Sequence, residues 1–173
     1  VRALESCVVQ MAVVNDPEPP LNIRSAPTTE SNIVGKLNNG TYVSVLKEQD
    51  GWFQIPSPVT GWIAKSRTTH HCGEKVERVS FGTGQTSMTI ADKFVGTGSH
   101  QYLFNAGEGQ TMTIVSQDGA FPLVKAPNGE VLVEGPDEQR DRWSGTLPAT
   151  GDYVIQFDSN FRGYSYSFSV EIR

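Results

Sequence analysis

The chain has 173 residues, of which 37% are hydrophobic and 19% charged, with 17 glycines, 10 prolines and a formal net charge of −5. This balance excludes a disordered, charge-dominated chain and fits turn-rich β structure, with length enough for one sandwich or two small domains. Up to Cys72, six basic residues balance six acidic ones, while the rest, with eight basic and thirteen acidic residues, carries the whole −5. Neither part has the dense Lys/Arg face that a phosphate backbone requires, so no nucleic acid partner is expected. No apolar run approaches the roughly 20 residues that span a bilayer, so no membrane insertion is expected either. The sequence begins at Val1 without a leader pattern, which says nothing against secretion.

In chain order, Cys7–Val14 is an apolar, β-branched run that reads as a strand, broken by the proline-rich segment from Asn15 to Pro20. Leu21–Arg24 alternates and ends at Ser25-Ala26-Pro27. After Ile33-Val34 and Leu37 comes Asn39-Gly40, a hairpin signal because both residues tolerate positive φ. Tyr42–Leu46 alternates, Asp50-Gly51 marks a second tight turn, and Trp52–Ile55 and Gly61–Ala64 follow. Short strands at close spacing with no helical period predict a small barrel over residues 1–73. Cys7 and Cys72, the only cysteines, are placed as one disulfide bracketing this domain. Two free thiols, or a metal held by His70-His71-Cys72, are the other readings. The metal reading lacks a second cluster to complete four ligands, so no metal or other cofactor is expected.

Leu21-Asn22-Ile23-Arg24-Ser25-Ala26-Pro27, Gly35-x-Leu37, Asn39-Gly40-Thr41, Val43-x-Val45, Gly51-Trp52 and Gly61-Trp62-Ile63 together resemble the bacterial SH3 domain. The flanking cysteines and the Pro58-Val59-Thr60-Gly61-Trp62 segment are similar to cyanobacterial forms. The resemblance implies an SH3-like barrel of extracytoplasmic proteins that attaches enzymes to cell-wall peptides or accompanies cell-wall endopeptidases. The ligand-binding candidates are Arg24, Tyr42, Trp52 and Trp62. Aromatic rings with a polar tip suit peptide and sugar, and Arg24 suits a ligand carboxylate. Against this, Trp62 and Phe53 suit the filling of a small core, and Arg24 suits turn carbonyls of its own domain.

Residues 74–78 are charged and read as a short linker. Over 79–173 alternation returns at Val79–Phe81, Ser87–Ala91, Gln101–Phe104, Gly109–Val115, Phe121–Val124, Val131–Val133, Arg142–Leu147, Asp152–Phe157 and Tyr164–Ile172. About eight strands with glycine-rich turns predict an antiparallel, jelly-roll-like β-sandwich, making the whole chain all-β. The segments Tyr102–Gly107, Gly109–Thr113 and Gly145–Ile155 resemble the pre-peptidase C-terminal sandwich family, and the g-type lysozyme inhibitors share the pattern. That resemblance implies structural roles for Leu147-Pro148 and Gly151-Asp152-Tyr153, and makes Arg140, Arg142 and Arg162 candidates for contact with a partner protein. Asp137, Glu138 and Asp141 form an acidic loop whose spacing matches no calcium loop. Tyr164, Tyr166 and Phe168 share one strand face, which is either core or an aromatic strip.

There is no Gly-x-Ser-x-Gly elbow, His-Glu-x-x-His helix or phosphate loop, and an oxidised Cys72 is no nucleophile. The expected protein is a non-catalytic binder, extracellular or periplasmic, whose partner is cell-wall peptide or glycan, or another secreted protein such as a lysozyme.

Overall fold

Period-two alternation marks most strands in residues 1–159 and 163–173, the part that the computed structural model describes. The first strand, β1 (Arg2–Val8), belongs to a unit made of Val1–Val8 together with Glu74–Arg173. The chain then leaves to form a second unit, Val9–Gly73. Its strands are β2 (Met11–Val14), β3 (Leu21–Arg24), β4 (Ile33–Leu37), β5 (Tyr42–Ser44), β6 (Lys47–Gln49), β7 (Trp52–Ile55), β8 (Gly61–Ala64) and β9 (Thr68–His70), with a 3-10 turn at Lys65–Arg67. Back in the first unit follow β10 (Glu74–Val79), β11 (Ser87–Lys93), β12 (Ser99–Ala106), β13 (Thr111–Asp118), β14 (Leu123–Lys125), β15 (Val131–Val133), β16 (Arg142–Thr146), β17 (Gly151–Asp158) and β18 (Ser165–Ile172). The chain is all-β, as expected.

In the 9–73 unit the strands form two sheets, β5-β2-β9 and β4-β3-β8-β7-β6, rather than one continuous closed barrel. Their inward positions, Ala12, Val14, Leu21, Ile23, Leu37, Val43, Phe53, Ile55 and Ile63, make the core. Asp50 and Gly51 have φ of 54° and 83° between the paired residues Gln49 and Trp52, a two-residue turn whose twist matches the strands it joins. At Asn39-Gly40 the expected mirror-image turn does not form: only Gly40 has positive φ. Asn39 instead clamps Asp16, accepting its N–H at 2.8 Å and donating to its carbonyl at 2.9 Å. Gly61 is a close approach: a Cβ there would lie 2.5 Å from Ile23 Cγ2 and 2.8 Å from the Arg24 carbonyl oxygen.

The larger unit is a sandwich of a six-stranded sheet, β1-β10-β12-β17-β14-β15, and a four-stranded sheet, β11-β18-β13-β16. The pairing is antiparallel except between β10 and β12, which run parallel. An aromatic core lies between the sheets: Tyr102, Phe104, Phe121, Tyr153, Phe157, Tyr166 and Phe168 are all buried. The Tyr153 hydroxyl donates to the Ala149 carbonyl at 2.7 Å, pinning the corner before β17 as a structural residue does.

The division of the chain differs from the expected 1–73, 74–78 and 79–173. Residues 74–78 are not a linker but most of β10, which pairs antiparallel with β1 and parallel with β12. The Val9–Gly73 unit is thus inserted, in chain order, between two hydrogen-bonded neighbours of the sandwich. The run expected as one strand from Cys7 to Val14 splits at Val9-Gln10 for the same reason. Cys7 and Cys72 are disulfide-bonded, closing the chain where it leaves β1 and rejoins at β10.

Charged residues enter β10 because they are paired. Lys75 and Glu77 are only 4% and 6% exposed, on the face of β10 that also buries Val79. Lys75 Nζ bonds Asp92, donates to the Tyr102 hydroxyl at 2.8 Å and lies 3.3 Å from Glu77 Oε2. Arg2 of β1 grips the same Glu77, one of its two hydrogen bonds spanning 3.1 Å. The Tyr102 and Tyr166 hydroxyl oxygens are 2.5 Å apart, and the Tyr166 hydroxyl is 2.7 Å from His100 Nδ1. Burial works against both charges, but hydrogen bonding to Asp92 and Tyr102 outweighs it and holds the Lys75 ammonium above its ordinary value. Asp92 is likewise held below the ordinary carboxylate value, because the hydrogen bonds from Lys75 and the Lys93 amide overcome desolvation.

Candidate ligand-binding site

Strand β3 turns Leu21 and Ile23 inward and leaves Asn22 and Arg24 half-buried on the opposite side. Strand β7 buries Phe53 and Ile55 and leaves Trp52 half-buried. Two residues distant in sequence, Arg24 and Trp52, thereby line one cavity of about 190 Å³, together with Asp16, Glu18, Asn22 and Arg67. Arg24 Nη1 donates to the Ser31 carbonyl at 3.0 Å, so the guanidinium is anchored from behind by the β3–β4 turn. Arg67 Nη1 donates to Asp16 Oδ1 at 2.7 Å, with Asp16 at 7% exposure and the Arg67 side chain at 42%. The same Asp16 oxygen accepts the Glu18 N–H at 2.9 Å, which fixes the backbone that carries the exposed Glu18 carboxylate. The sequence reading of Arg24 found half of its environment. It missed Arg67, Glu18 and Asp16, for which composition and alternation carry no signal.

The other two aromatic candidates lie elsewhere. Tyr42, on β5 of the other sheet, is 62% exposed and borders a separate groove of about 410 Å³ with Leu37, Pro56 and Pro58. Trp62 is corrected: at 7% exposure, with the Lys47 ammonium 5.4 Å from its ring centroid, it fills space and offers no open ring face. The core-filling reading is the one that holds, because β8 buries three successive residues, Gly61, Trp62 and Ile63.

In the sandwich, Arg140 lies near Asp137 at 3.9 Å and over the Phe121 ring at 5.9 Å. Arg142 is exposed on β16 and borders a shallow groove of about 490 Å³ with Thr113, Ser169 and Glu171. Arg162 lies outside the described residues. The face carrying Tyr166 and Phe168 is core, and Tyr164 is half-buried, its hydroxyl pushed up to about 12 by burial and by the charge of Asp158. Asp137 spends an oxygen on the Gln139 N–H at 2.9 Å. Among the described residues no group of three or more His, Cys, Asp or Glu could hold a metal ion. His100 is fully buried, and His70 packs edge-on to Phe53 with its pKa lowered by burial.

The chain is similar to YrvJ of Bacillus subtilis (strain 168), described as an N-acetylmuramoyl-L-alanine amidase, at 25% identity over 118 residues. The match covers 64% of this chain and 23% of YrvJ, so the chain spans about a quarter of that relative's length. Among solved structures it is similar to PliG of Aeromonas hydrophila, a periplasmic inhibitor of g-type lysozyme, at 27% identity and a TM-score of 0.47, over 56% of this chain and 94% of that one. The PliG of Salmonella Typhimurium is similar at 23% identity and a TM-score of 0.44, over 57% and 97%. The pre-peptidase C-terminal domain of a Bacillus anthracis collagenase is similar at 10% identity and a TM-score of 0.38, over 58% and 96%. Residues 19–69, which contain Arg24, Trp52 and Arg67, match the family profile of the bacterial SH3 domain.

Proposed function

We propose that the chain is a non-catalytic binding protein of the cell envelope or extracellular space, and that its SH3 unit engages cell-wall peptide. The observation that carries this reading is the single cavity in which Arg24, Arg67, Glu18 and the Trp52 ring converge. Guanidinium groups take carboxylates in two-point geometry, and an indole takes the intervening aliphatic or cationic groups. The SH3 match over residues 19–69 and the name of YrvJ support a cell-wall setting. The disulfide supports an oxidising compartment. Non-catalysis is supported by Cys72 being oxidised and His100 being sealed in the core.

The test is co-sedimentation of the folded, oxidised protein with insoluble peptidoglycan. Retention that falls at least tenfold in an Arg24→Gln, Trp52→Ala double variant is expected. Absence of retention at low salt overturns the reading.

A second reading, a protein-directed inhibitor, rests on the exposure of Arg142 beside the shallow groove of the four-stranded sheet. Loss of lysozyme turnover at nanomolar protein, restored by Arg142→Ala, would support it over the first.

A further inference from the structure

We infer that the cavity of the SH3 unit takes an α-amino acid headgroup, ammonium and carboxylate borne on one carbon, rather than a sugar ring or an internal stretch of peptide. This rests on the proposed peptide-binding role of the same site and narrows it to one chemical class.

Size is the first constraint. A volume of about 190 Å³ equals the share of roughly six liquid waters. That is room for one amino-acid-sized group, with the remainder of a larger ligand left outside in solvent.

Charge is the second. The lining brings two guanidinium groups, Arg24 and Arg67, to the same space as the exposed carboxylate of Glu18. Asp16 cannot be counted as an open acceptor: it is buried and already holds Arg67 and the Glu18 amide. A neutral sugar or a peptide amide would accept hydrogen bonds from the guanidiniums but return no charge, and so gain less than a carboxylate does. A carboxylate meets the two arginines, and an ammonium meets Glu18 and the electron-rich face of Trp52.

Pre-organisation is the third. Arg24 is fixed by its hydrogen bond to Ser31, Arg67 by Asp16, and the Glu18 backbone by Asp16 again. The ordering entropy that weakens most surface arginine sites is therefore already spent in the fold.

The class is restrictive. An ordinary peptide terminus exposes an amine or a carboxylate on a given residue, but not both, because the other is locked in an amide. Both are present together on a peptide only where a residue is joined through its side chain alone, as in a diamino dicarboxylic residue linked through one of its two centres, a γ-linked N-terminal glutamate or an ε-linked C-terminal lysine. The site therefore selects peptides carrying such a residue.

The experiment titrates the full oxidised chain, by NMR of the Trp52 indole and by calorimetry, with 2,6-diaminopimelic acid and with forms blocked at both centres: the N,N′-diacetyl derivative, the diamide and pimelic acid. Binding of the diamino acid is expected, weakened at least tenfold by acetylation, by amidation or by Glu18→Gln. Equal binding of the blocked forms overturns the inference. So does silence toward every probe while insoluble peptidoglycan still retains the protein, which leaves the broader function standing. Binding of the diamino acid without retention by peptidoglycan supports the headgroup site and removes the cell-wall role. Glu18 is exposed, so its variant keeps the fold; an Arg24→Lys variant, which keeps charge but loses the planar fork, gives a second check, with weaker carboxylate binding expected.

Discussion

Two groups of charged side chains, one in each unit, have opposite designs. In the sandwich, Arg2, Lys75, Glu77 and Asp92 alternate in sign and bond each other and the Tyr102 hydroxyl, with Lys75 and Glu77 almost fully buried. In the 9–73 unit, Arg24 and Arg67 are tied to Ser31 and Asp16 and line a cavity shared with Glu18 and Trp52. The first arrangement is closed on itself and serves the fold. The second is braced from behind and open in front, as a binding site must be. What separates structure from function here is not the presence of charge but whether the partners are used up.

The comparison is broken most directly by removing Lys75. Lys75→Met leaves Asp92 without its cation and Glu77 with Arg2 alone, and the expected loss of sandwich stability is about 3 kcal/mol in urea unfolding. A loss below about 1 kcal/mol would mean that the network is slack.

Next in size is the disulfide. The bridge closes a loop of roughly 65 residues, worth about 4 kcal/mol in the loop-entropy model. Because β1 and β10 already hold the same ends together, Cys7→Ser with Cys72→Ser is expected to act mainly on that pairing. Faster amide hydrogen exchange in Arg2–Val8, with the strands around Trp52 little changed, is the readout.

Arg67→Ala is expected to cost less, about 1 to 3 kcal/mol, because Asp16 loses one partner but keeps the Glu18 amide. Thermal unfolding followed by tryptophan fluorescence checks it.

The two clusters also divide by pH. Asp92 has its folded value depressed, so its contribution is present above the unfolded carboxylate value and is lost as pH falls through the folded one. Lys75 has its folded value raised, so its contribution is complete below the unfolded lysine value and is lost only as pH rises through the folded one. The pair thus supports the sandwich from about pH 4 to beyond about pH 10, with acid loss below. A Lys75→Met variant should flatten that acid limb of stability against pH, while Glu18→Gln should leave it unmoved.

Glu18→Gln is the smallest perturbation. Stability is expected to stay within about 0.5 kcal/mol of the parent, as for an exposed side chain, while binding at the cavity falls. Equal loss of both would merge the two designs that the structure separates.

Much of this was legible beforehand. The strands at Leu21–Arg24 and Trp52–Ile55 follow from alternation, those at Gly61–Ala64 and Val131–Val133 from short apolar runs between turns, and the tight turn at Asp50-Gly51 from its residue types. The candidate site was half legible. Arg24 and Trp52 stand out as residue types in a family pattern, but Arg67 and Glu18 join them only through folding of the 9–73 unit.

The amino-acid order by itself determined the all-β class, which follows from local periodicity and short-range turn chemistry, and it carried the two bracketing cysteines and the motifs that resemble a bacterial SH3 domain. Tertiary structure decided the rest: Glu74–Val79 as a sandwich strand instead of a tether, Trp62 as filler, and Arg67 as a neighbour of Arg24. The physical reason is that a charge or an indole has no inside or outside of its own. Lys75 and Glu77 look like solvent-facing linker residues until β1 of the same sheet and β11 of the facing sheet bring Arg2 and Asp92 to pair with them.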